Sequence, residues 1–228
     1  MSSSATAPLT AWPEADARAG SCLEAAVEGA RSRLGGALRA VVLGGSLARG
    51  EGLAVDEPEG LRLISDLDLY LVVDDPAEPS VVQSVASLRA ELEDDPFLAA
   101  PVDLAAVGPR WFDGLGGTLP ARQLARGARI LYRSGADFSP PPTEDAPSPR
   151  GVDPDDALKL LHNRYAEHLL LGWRAARRPA HPFALHHRWK VLVDAPLAWL
   201  AAEGLYDPGR PEQILRLQEG TARLPGRA

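Results

Sequence analysis

The chain has 228 residues, and its 24 Lys and Arg against 31 Asp and Glu give a net charge of −7, which argues against a large nucleic-acid surface because polyanion binding needs clustered basic side chains. The single cysteine excludes an intrachain disulfide framework and a metal site built on paired thiols, as is typical of a reducing cytoplasm. No apolar run reaches the length of a membrane span and residues 1–20 lack a signal-peptide core, so the sequence predicts a soluble, cytoplasmic protein.

The first predicted element is a helix that follows a short disordered start. Residues 1–14 are rich in Ala, Ser and Pro, a composition that favours disorder. From Asp16 to Leu34 apolar residues recur at helical spacing, and Gly35-Gly36 follows as a stop signal. We expect this amphipathic helix to cover one face of a sheet. Its apolar stripe consists of Ala17, Cys22, Leu23, Ala26, Val27, Ala30 and Leu34.

A glycine-rich turn joins the two apolar strands that come next. The run Leu38–Leu43 ends in Gly44-Gly45-Ser46, and Leu67–Val73 forms the second run. The glycines let the backbone turn tightly and approach a ligand closely. Ser46 to Arg49 is predicted to open a helical turn, and the N–H groups at the start of such a turn favour anions. The sequence therefore predicts a phosphate-binding turn at this position.

Two carboxylates stand at the start of the second strand. Asp66 and Asp68 are two residues apart, so their side chains are expected on the same face of the strand. Two neighbouring carboxylates repel each other unless a cation lies between them. Because oxygen ligands suit a hard divalent ion, we expect Mg²⁺, or alternatively Mn²⁺, at this position.

A third carboxylate, Asp103, lies inside the apolar run Val102–Val107. A helix from Pro79 to Asp94 leads to this predicted strand, and a short helix over 121–127 and a final strand over 128–132 follow it. Burial of even a neutral polar group without a partner costs roughly 2–7 kcal/mol. Asp103 is therefore expected to contact a metal ion or an acceptor hydroxyl, or else to lie at a strand edge after Pro101.

The last third of the chain is predicted to form a separate helical domain. Ser134 to Pro154 contains six prolines, which favour a semi-rigid linker, and helices are expected over 153–177, 182–203 and 210–224. The predicted fold class is α/β of the α+β type, with a mixed sheet, followed by a small all-α bundle. The predicted parts are a disordered start (1–14), an α/β domain (15–134), a linker (135–152) and a helical domain (153–228).

The turn and the paired carboxylates together resemble the nucleotidyltransferases of the DNA polymerase β superfamily. The stretch Gly44-Gly45-Ser46-Leu47-Ala48-Arg49-Gly50 resembles their Gly-Ser motif, and Ser65-Asp66-Leu67-Asp68 resembles their Asp-x-Asp strand, in the same order along the chain. The resemblance covers about residues 36–132 and implies a nucleotidyltransferase fold. One departure is a turn-rich insertion of twelve residues, Leu53 to Ile64, where such enzymes typically have only a few.

The resemblance implies metal-dependent transfer of a nucleoside monophosphate to an acceptor hydroxyl, with release of pyrophosphate. Asp66, Asp68 and Asp103 would be the catalytic carboxylates and would bind two Mg²⁺ ions, and Asp103 would take the proton of the attacking hydroxyl. The alternative for Asp66 and Asp68 is a solvated strand face or a helix cap. For Asp103 the alternative remains the strand edge.

Four further residues are candidates for nucleotide binding. In the resembling family the glycine and serine hold the outer phosphates, which assigns that role to Gly45 and Ser46. Arg49 would neutralise triphosphate charge, and Lys190, one of only two lysines, would reach the triphosphate or the acceptor from the helical domain. The alternatives are a helix cap for Ser46, an ion pair with Glu51 for Arg49, and a solvated helix face for Lys190.

Charge favours a small-molecule or protein acceptor over nucleic acid. Residues 1–152 carry 13 basic and 22 acidic side chains, whereas residues 153–228 carry 11 and 9. An acidic catalytic half attracts metal ions and cationic acceptors, such as an aminoglycoside-like molecule. The alternatives are an antitoxin- or toxin-type enzyme that acts on a partner protein or a tRNA, and a catalytically silent nucleotide-binding module. The intact Asp-x-Asp motif argues against the silent module, and no membrane partner is expected.

Overall fold

The structure, a computed structural model, describes residues 8–115, 118–135, 138–139, 141, 154–175, 195–196 and 198–200. Contacts between residues divide the chain into two units. The first comprises Met1–Gly114 and Gly127–Pro141, and the second comprises Leu115–Arg126 and Pro142–Ala228. A segment of the second unit therefore interrupts the first along the chain.

The first unit is built on a four-stranded mixed sheet. Its elements, in chain order, are α1 (Pro13–Leu34), β1 (Leu38–Leu43), α2 (Gly45–Ala48), β2 (Ala54–Glu57), β3 (Gly60–Leu63), β4 (Leu67–Val73), α3 (Pro79–Glu93), β5 (Val102–Val107) and β6 (Arg129–Arg133). The sheet has the order β5-β4-β1-β6, in which β1 is antiparallel to both neighbours and β4 is parallel to β5. Parallel neighbours need a crossover connection, which α3 provides. The predicted α/β class with a mixed sheet is confirmed at this level.

Alternation along β4 separates the two faces of this sheet. Leu67, Leu69 and Leu71 are at most 2% exposed and pack with apolar residues of α1 and α3. Asp68 and Tyr70 lie between them in the chain, face the opposite side and are only partly buried. The helices therefore cover one face, and the polar residues of β4 share the other.

The chain before α1 is held against the first unit. The Asp16 carboxylate accepts hydrogen bonds from the backbone N–H groups of Leu9 and Thr10, the second at 3.0 Å. Thr10 also forms a parallel bridge with Gly52. Residues 8–14 therefore differ from the predicted disordered start. Composition favours disorder here, but it does not reveal a carboxylate on the following helix that binds the preceding backbone.

The insertion from Leu53 to Ile64 is a β-hairpin. Its strands β2 and β3 pair antiparallel, and Arg62 Nη1 forms a 3.4 Å ion pair with Glu57 Oε2. The N–H of Leu63 donates to the carbonyl of Phe97 at 2.7 Å, which ties the hairpin to the chain after α3. The sequence predicts a turn-rich insertion here, and the structure shows that it is a regular two-stranded extension.

In the second unit, one buried carboxylate joins two helices, α4 (Leu119–Gly127) and α5 (Pro154–Ala175). Asp156 is 8% exposed, accepts a 3.3 Å hydrogen bond from the N–H of Leu119, and pairs with Lys159 at 3.1 Å. The sequence assigns the α4 stretch to the α/β domain, whereas contacts group residues 115–126 with α5. Leu119 at the start of α4 both donates to Asp156 and packs with Ala157 of α5.

Much of the predicted C-terminal half lies outside the described residues. This holds for most of the linker, for the helix over 210–224, and for the helix over 182–203 apart from residues 195–196 and 198–200, which are helical. The predicted helix from residue 153 is confirmed as α5. Across the described ranges, no helix has both the length and the apolar character needed to cross a membrane.

Cys22 makes the stability of the fold sensitive to alkaline pH. Its thiol, buried on α1, donates a 3.3 Å hydrogen bond to Asp95 Oδ2. Burial, followed by this hydrogen bond, raises the pKa of Cys22 to about 12 from an ordinary value near 9. The folded state keeps this proton while the unfolded chain loses it above about pH 9. This contribution to the free energy of unfolding is therefore full below pH 9 and decreases as the pH rises toward 12.

We expect the Cys22→Ala variant to lose less stability than the wild type as the pH rises above about 9. The difference between the two slopes approaches about 1.4 kcal/mol per pH unit, the value for one proton. Urea unfolding of both proteins between about pH 8 and pH 11 measures it. At pH 8 the variant is expected to be less stable than the wild type because it leaves a small cavity, so the slopes rather than the absolute stabilities are compared. Identical slopes would contradict the prediction.

Candidate functional site

The turn after β1 lies directly against the first residues of β4. Gly44 is the N-cap of α2, and its N–H donates to the carbonyl of Asp68 at 2.9 Å. Gly45 follows with φ +66°, a backbone conformation that residues other than glycine rarely adopt. A Cβ on Gly45 would overlap Asp68 Oδ2 and lie 2.8 Å from its Cγ. The backbone of the turn and the Asp68 carboxylate are therefore in contact, and only glycine permits it.

Asp68 has Asp103 as its neighbour across the sheet. The two are register partners on the parallel strands β4 and β5, whose backbones are about 4.8 Å apart. Asp68 is partly buried and Asp103 is exposed. The apolar surroundings expected for Asp103 are thus not present, because its strand turns this side chain to the open face. Asp66 lies one residue before β4 and is partly buried.

Tyr70 is a site residue that the sequence did not single out. It lies two residues after Asp68 on the same face of β4, and its ring stacks on Trp111 at 5.1 Å with Phe112 edge-on at 6.0 Å. Burial, then the charges of Asp68 and Asp103, raise the pKa of Tyr70 to about 12. The hydroxyl therefore stays protonated near neutral pH, beside both carboxylates. The two-residue spacing from Asp68, which puts both side chains on the same face of a strand, is the sequence signal that could have identified Tyr70.

The structure excludes a helix-cap role for Ser46 and shows an ion pair between Arg49 and Glu51. Ser46 lies inside α2 rather than before it, and Gly44 is the N-cap, without a side-chain cap hydrogen bond. The helix-cap alternative for Ser46 is therefore wrong. Arg49 Nε donates to Glu51 Oε2 at 3.0 Å, so the ion pair offered as the alternative for Arg49 is present. The Arg49 side chain also packs against Gly127, where a Cβ would overlap it.

The described residues place two carboxylates on adjacent strands but no larger cluster of candidate metal ligands. Among them, no group of three or more His, Cys, Asp or Glu side chains is placed to hold a metal ion. Asp68 and Asp103 nevertheless fit Mg²⁺, because this ion is usually held by one or two carboxylates together with substrate phosphates and water. Lys190, the candidate from the helical domain, lies outside the described residues.

The site combines a glycine turn with carboxylates in a way that suits polyphosphate chemistry. Backbone N–H groups at the start of a helical turn have no partner within the helix and attract anions, while a carboxylate pair attracts the counter-cation. Neither protein-family models nor curated proteins give a match to this chain. The function is therefore inferred from the geometry of these residues.

Proposed function

We propose that this chain is a metal-dependent nucleotidyltransferase, which transfers a nucleoside monophosphate from a nucleoside triphosphate to an acceptor hydroxyl and releases pyrophosphate. The observation that carries the proposal is the contact between the Gly45 backbone and the Asp68 carboxylate. Phosphates and the cation that neutralises them bind side by side, so their binding groups must be adjacent. A mixed sheet with Asp68 and Asp103 on adjacent parallel strands supports the nucleotidyltransferase fold as the finer description.

Each residue of the site has a role that follows from its position. Gly45 and Ser46 hold the outer phosphates with backbone N–H groups and a hydroxyl. Asp68 on β4 and Asp103 on β5, together with Asp66 just before β4, would hold Mg²⁺. When bound, the ion stabilises the charge that develops on the phosphates and the leaving group. Asp103, the exposed carboxylate, accepts the proton of the attacking hydroxyl.

We expect Ser46→Ala and Arg49→Ala each to weaken magnesium-triphosphate binding by about 1–3 kcal/mol, the range for a lost hydrogen bond to a charged group. Isothermal titration with non-hydrolysable triphosphates in the presence of Mg²⁺ measures the affinity. Glu51→Gln is the matched control for Arg49, because it breaks the 3.0 Å ion pair and keeps the guanidinium. If Arg49 binds phosphate, the Glu51→Gln variant keeps the affinity of the wild type for magnesium triphosphate. If neither alanine variant changes the affinity, the phosphate role of this turn is wrong.

The reaction is tested by pyrophosphate release beside triphosphate binding. The wild type is assayed with ATP, CTP, GTP and UTP, each with Mg²⁺ and a library of aminocyclitols, aminoglycosides and candidate proteins. We expect release that depends on both the metal ion and one acceptor class, and that stops when a chelator removes the metal. Triphosphate binding without release under every acceptor would favour the catalytically silent module. No triphosphate binding at all would refute the proposed function.

We expect the acceptor to be a small cationic molecule or a protein, rather than a tRNA. Exposed acids on the first unit outside the turn, among them Asp56 and Glu59, attract cations and repel phosphates. Tight tRNA binding needs many basic contacts and falls steeply with salt. A filter-binding series with total tRNA at about 0.15 M salt is expected to give no sub-micromolar affinity. Tight, salt-sensitive tRNA binding would instead place the toxin-type alternative first.

A further inference from the structure

The glycine turn is held at its far end by the segment Pro8–Thr10, which we call the N-terminal strap. The carbonyl of Leu9 accepts a 3.0 Å hydrogen bond from the N–H of Gly52. Thr10 and Gly52 form a parallel bridge. The strap therefore pairs with the chain six residues after Ser46, in the manner of a short added strand.

Close packing shows that the strap fits this turn. Gly50 has φ +75°, and a Cβ there would lie 2.8 Å from the carbonyl oxygen of Pro8. A Cβ on Gly52 would lie 2.6 Å from the carbonyl oxygen of Leu9. Both distances are shorter than real Cβ contacts, so glycine at these two positions is what admits the strap.

Arg129 connects the strap to the end of α2. Its Nε donates to the carbonyl of Ala48 at 2.6 Å, and its Nη2 donates to the carbonyl of Pro8 at 2.8 Å. Arg129 is the register partner of Leu43, the last residue of β1, which places the guanidinium beside the turn. Charge-assisted hydrogen bonds of this kind are stronger than neutral ones. One side chain therefore fixes two backbone segments that are far apart in the chain.

Asp16 also holds the strap, through its backbone N–H groups. Its carboxylate accepts the N–H groups of Leu9 and Thr10. Burial lowers the pKa of Arg129, and the negative charge of Asp16 partly opposes this shift through a favourable electrostatic interaction. Asp16 and Arg129 thus hold the strap through its N–H groups and its carbonyl, respectively.

A single helical turn needs such support. The helix α2 has four residues, and isolated helices of this length are not stable in water. Burial of Leu47 and Ala48 anchors one side of the turn, and the bond from Gly44 to Asp68 anchors its start. The end of the turn, at Ala48 to Gly52, is anchored by the strap and Arg129.

We propose that Asp16, Arg129 and the N-terminal strap form a clamp that holds the glycine turn in its triphosphate-binding conformation. The inference rests on the proposed function of that turn. Asp16 and Arg129 are then positioning residues, which act through Gly45 and Ser46 without touching the phosphates. If only a fraction of the molecules has the binding-competent turn, the apparent dissociation constant for the triphosphate is the intrinsic constant divided by that fraction.

The test is the affinity for magnesium tripolyphosphate, a base-free probe, in the wild type and in Asp16→Ala and Arg129→Gln. We expect each variant to bind about tenfold more weakly, as when the competent conformation falls to about a tenth of the molecules. Asp16→Asn keeps the acceptor oxygen for Leu9 and Thr10, so it is expected to bind nearly as the wild type does. The double variant Asp16→Ala/Arg129→Gln is expected to show less than the product of the two effects, because both changes release the same strap.

A second readout locates the effect without any ligand. Hydrogen exchange at the amides of Gly50 to Gly52 is expected to become faster in Asp16→Ala and to stay slow in Asp16→Asn. Arg39→Gln is the control for general destabilisation, because it breaks the ion pair with Asp74 near the opposite end of β1. It is expected to leave both the exchange at Gly50 to Gly52 and the affinity unchanged.

The outcomes separate the clamp from the proposed function. A wild type that binds no tripolyphosphate overturns the proposed function and the clamp together. A wild type that binds, with Asp16→Ala and Arg129→Gln binding equally well, overturns the clamp alone. If Arg129→Gln fails to fold, Asp16→Ala with its Asp16→Asn rescue decides the question.

Discussion

The Asp68→Asn variant is expected to lose at least about 99% of turnover, equivalent to about 2.7 kcal/mol of transition-state stabilisation, while it keeps its fold. Asp68 lies between the Gly45 backbone and Asp103, so it is the carboxylate best placed to hold the counter-cation of a bound triphosphate. Asparagine has the same shape but no charge, so the loss of activity reports the charge. Pyrophosphate release at saturating Mg²⁺ and triphosphate measures the effect.

Substitutions of other carboxylates test whether the effect is specific to the metal site. Asp66→Asn and Asp103→Asn are expected to show losses of the same kind if all three carboxylates serve the metal. Asp94→Asn, an exposed change at the end of α3, is expected to leave turnover unchanged. The melting temperature of Asp68→Asn is expected to equal or exceed that of the wild type, because repulsion with Asp103 is relieved. If Asp68→Asn keeps more than about a tenth of wild-type activity, roughly 1.4 kcal/mol, the metal assignment is wrong.

The Gly45→Ala variant is expected to lose about 2–5 kcal/mol of stability and all detectable triphosphate binding. Two costs combine: alanine is strained at φ +66°, and its Cβ would overlap the Asp68 carboxylate. Either the carboxylate or the turn must move, so the contact that carries the proposed function is broken. Urea unfolding and isothermal titration measure the two effects.

A double variant separates the two costs. Asp68→Ala removes the overlapping carboxylate, so adding Gly45→Ala in that background is expected to cost only the backbone strain, about 1–3 kcal/mol. Gly36→Ala is the matched glycine control, because a Cβ there meets nothing within 4 Å and its φ is not positive. It is expected to have the stability and the affinity of the wild type. Wild-type behaviour of Gly45→Ala would show that the turn does not need its observed conformation.

The sheet and the turn could be predicted from sequence because their signals are local. The strands over 38–43, 67–73 and 102–107 have the predicted bounds, since each is a short apolar run between turn signals. Gly45 and Ser46 lie where a glycine turn after a buried strand must place them. The side-chain period of two in β4 follows directly from the alternation of leucines with Asp68 and Tyr70.

The surroundings of Asp103 could not be predicted in the same way. Apart from Asp103, the stretch Val102–Val107 is apolar throughout, but two of its residues are alanines, of which Ala105 is exposed and Ala106 is only partly buried. A small apolar residue is compatible with either face of a strand, so it hides the alternation that larger residues reveal. Asp103 therefore looks buried in the sequence and is exposed in the structure.

Contacts between distant segments were also beyond the sequence. The stack of Tyr70 on Trp111 needs the one-turn helix Trp111–Leu115 to fold back onto β4. The strap needs Gly52 to meet Thr10 across more than forty residues. In both cases each residue alone has an ordinary local explanation, and only the tertiary fold brings the pair together.

β6, one of the two edge strands of the sheet, is the last of its strands in the chain and follows the residues 115–126 that belong to the second unit. β6 pairs with β1, which precedes it by more than eighty residues, and it is separated from α4 by Ala128 alone. Leu119 and Leu124 of α4 are buried, and Leu119 packs with Ala157, Ala198 and Leu200 of the second unit. No single cut of the chain therefore releases one unit intact, because residues 115–126 and 142–228 belong to the second unit while residues 127–141 between them belong to the first.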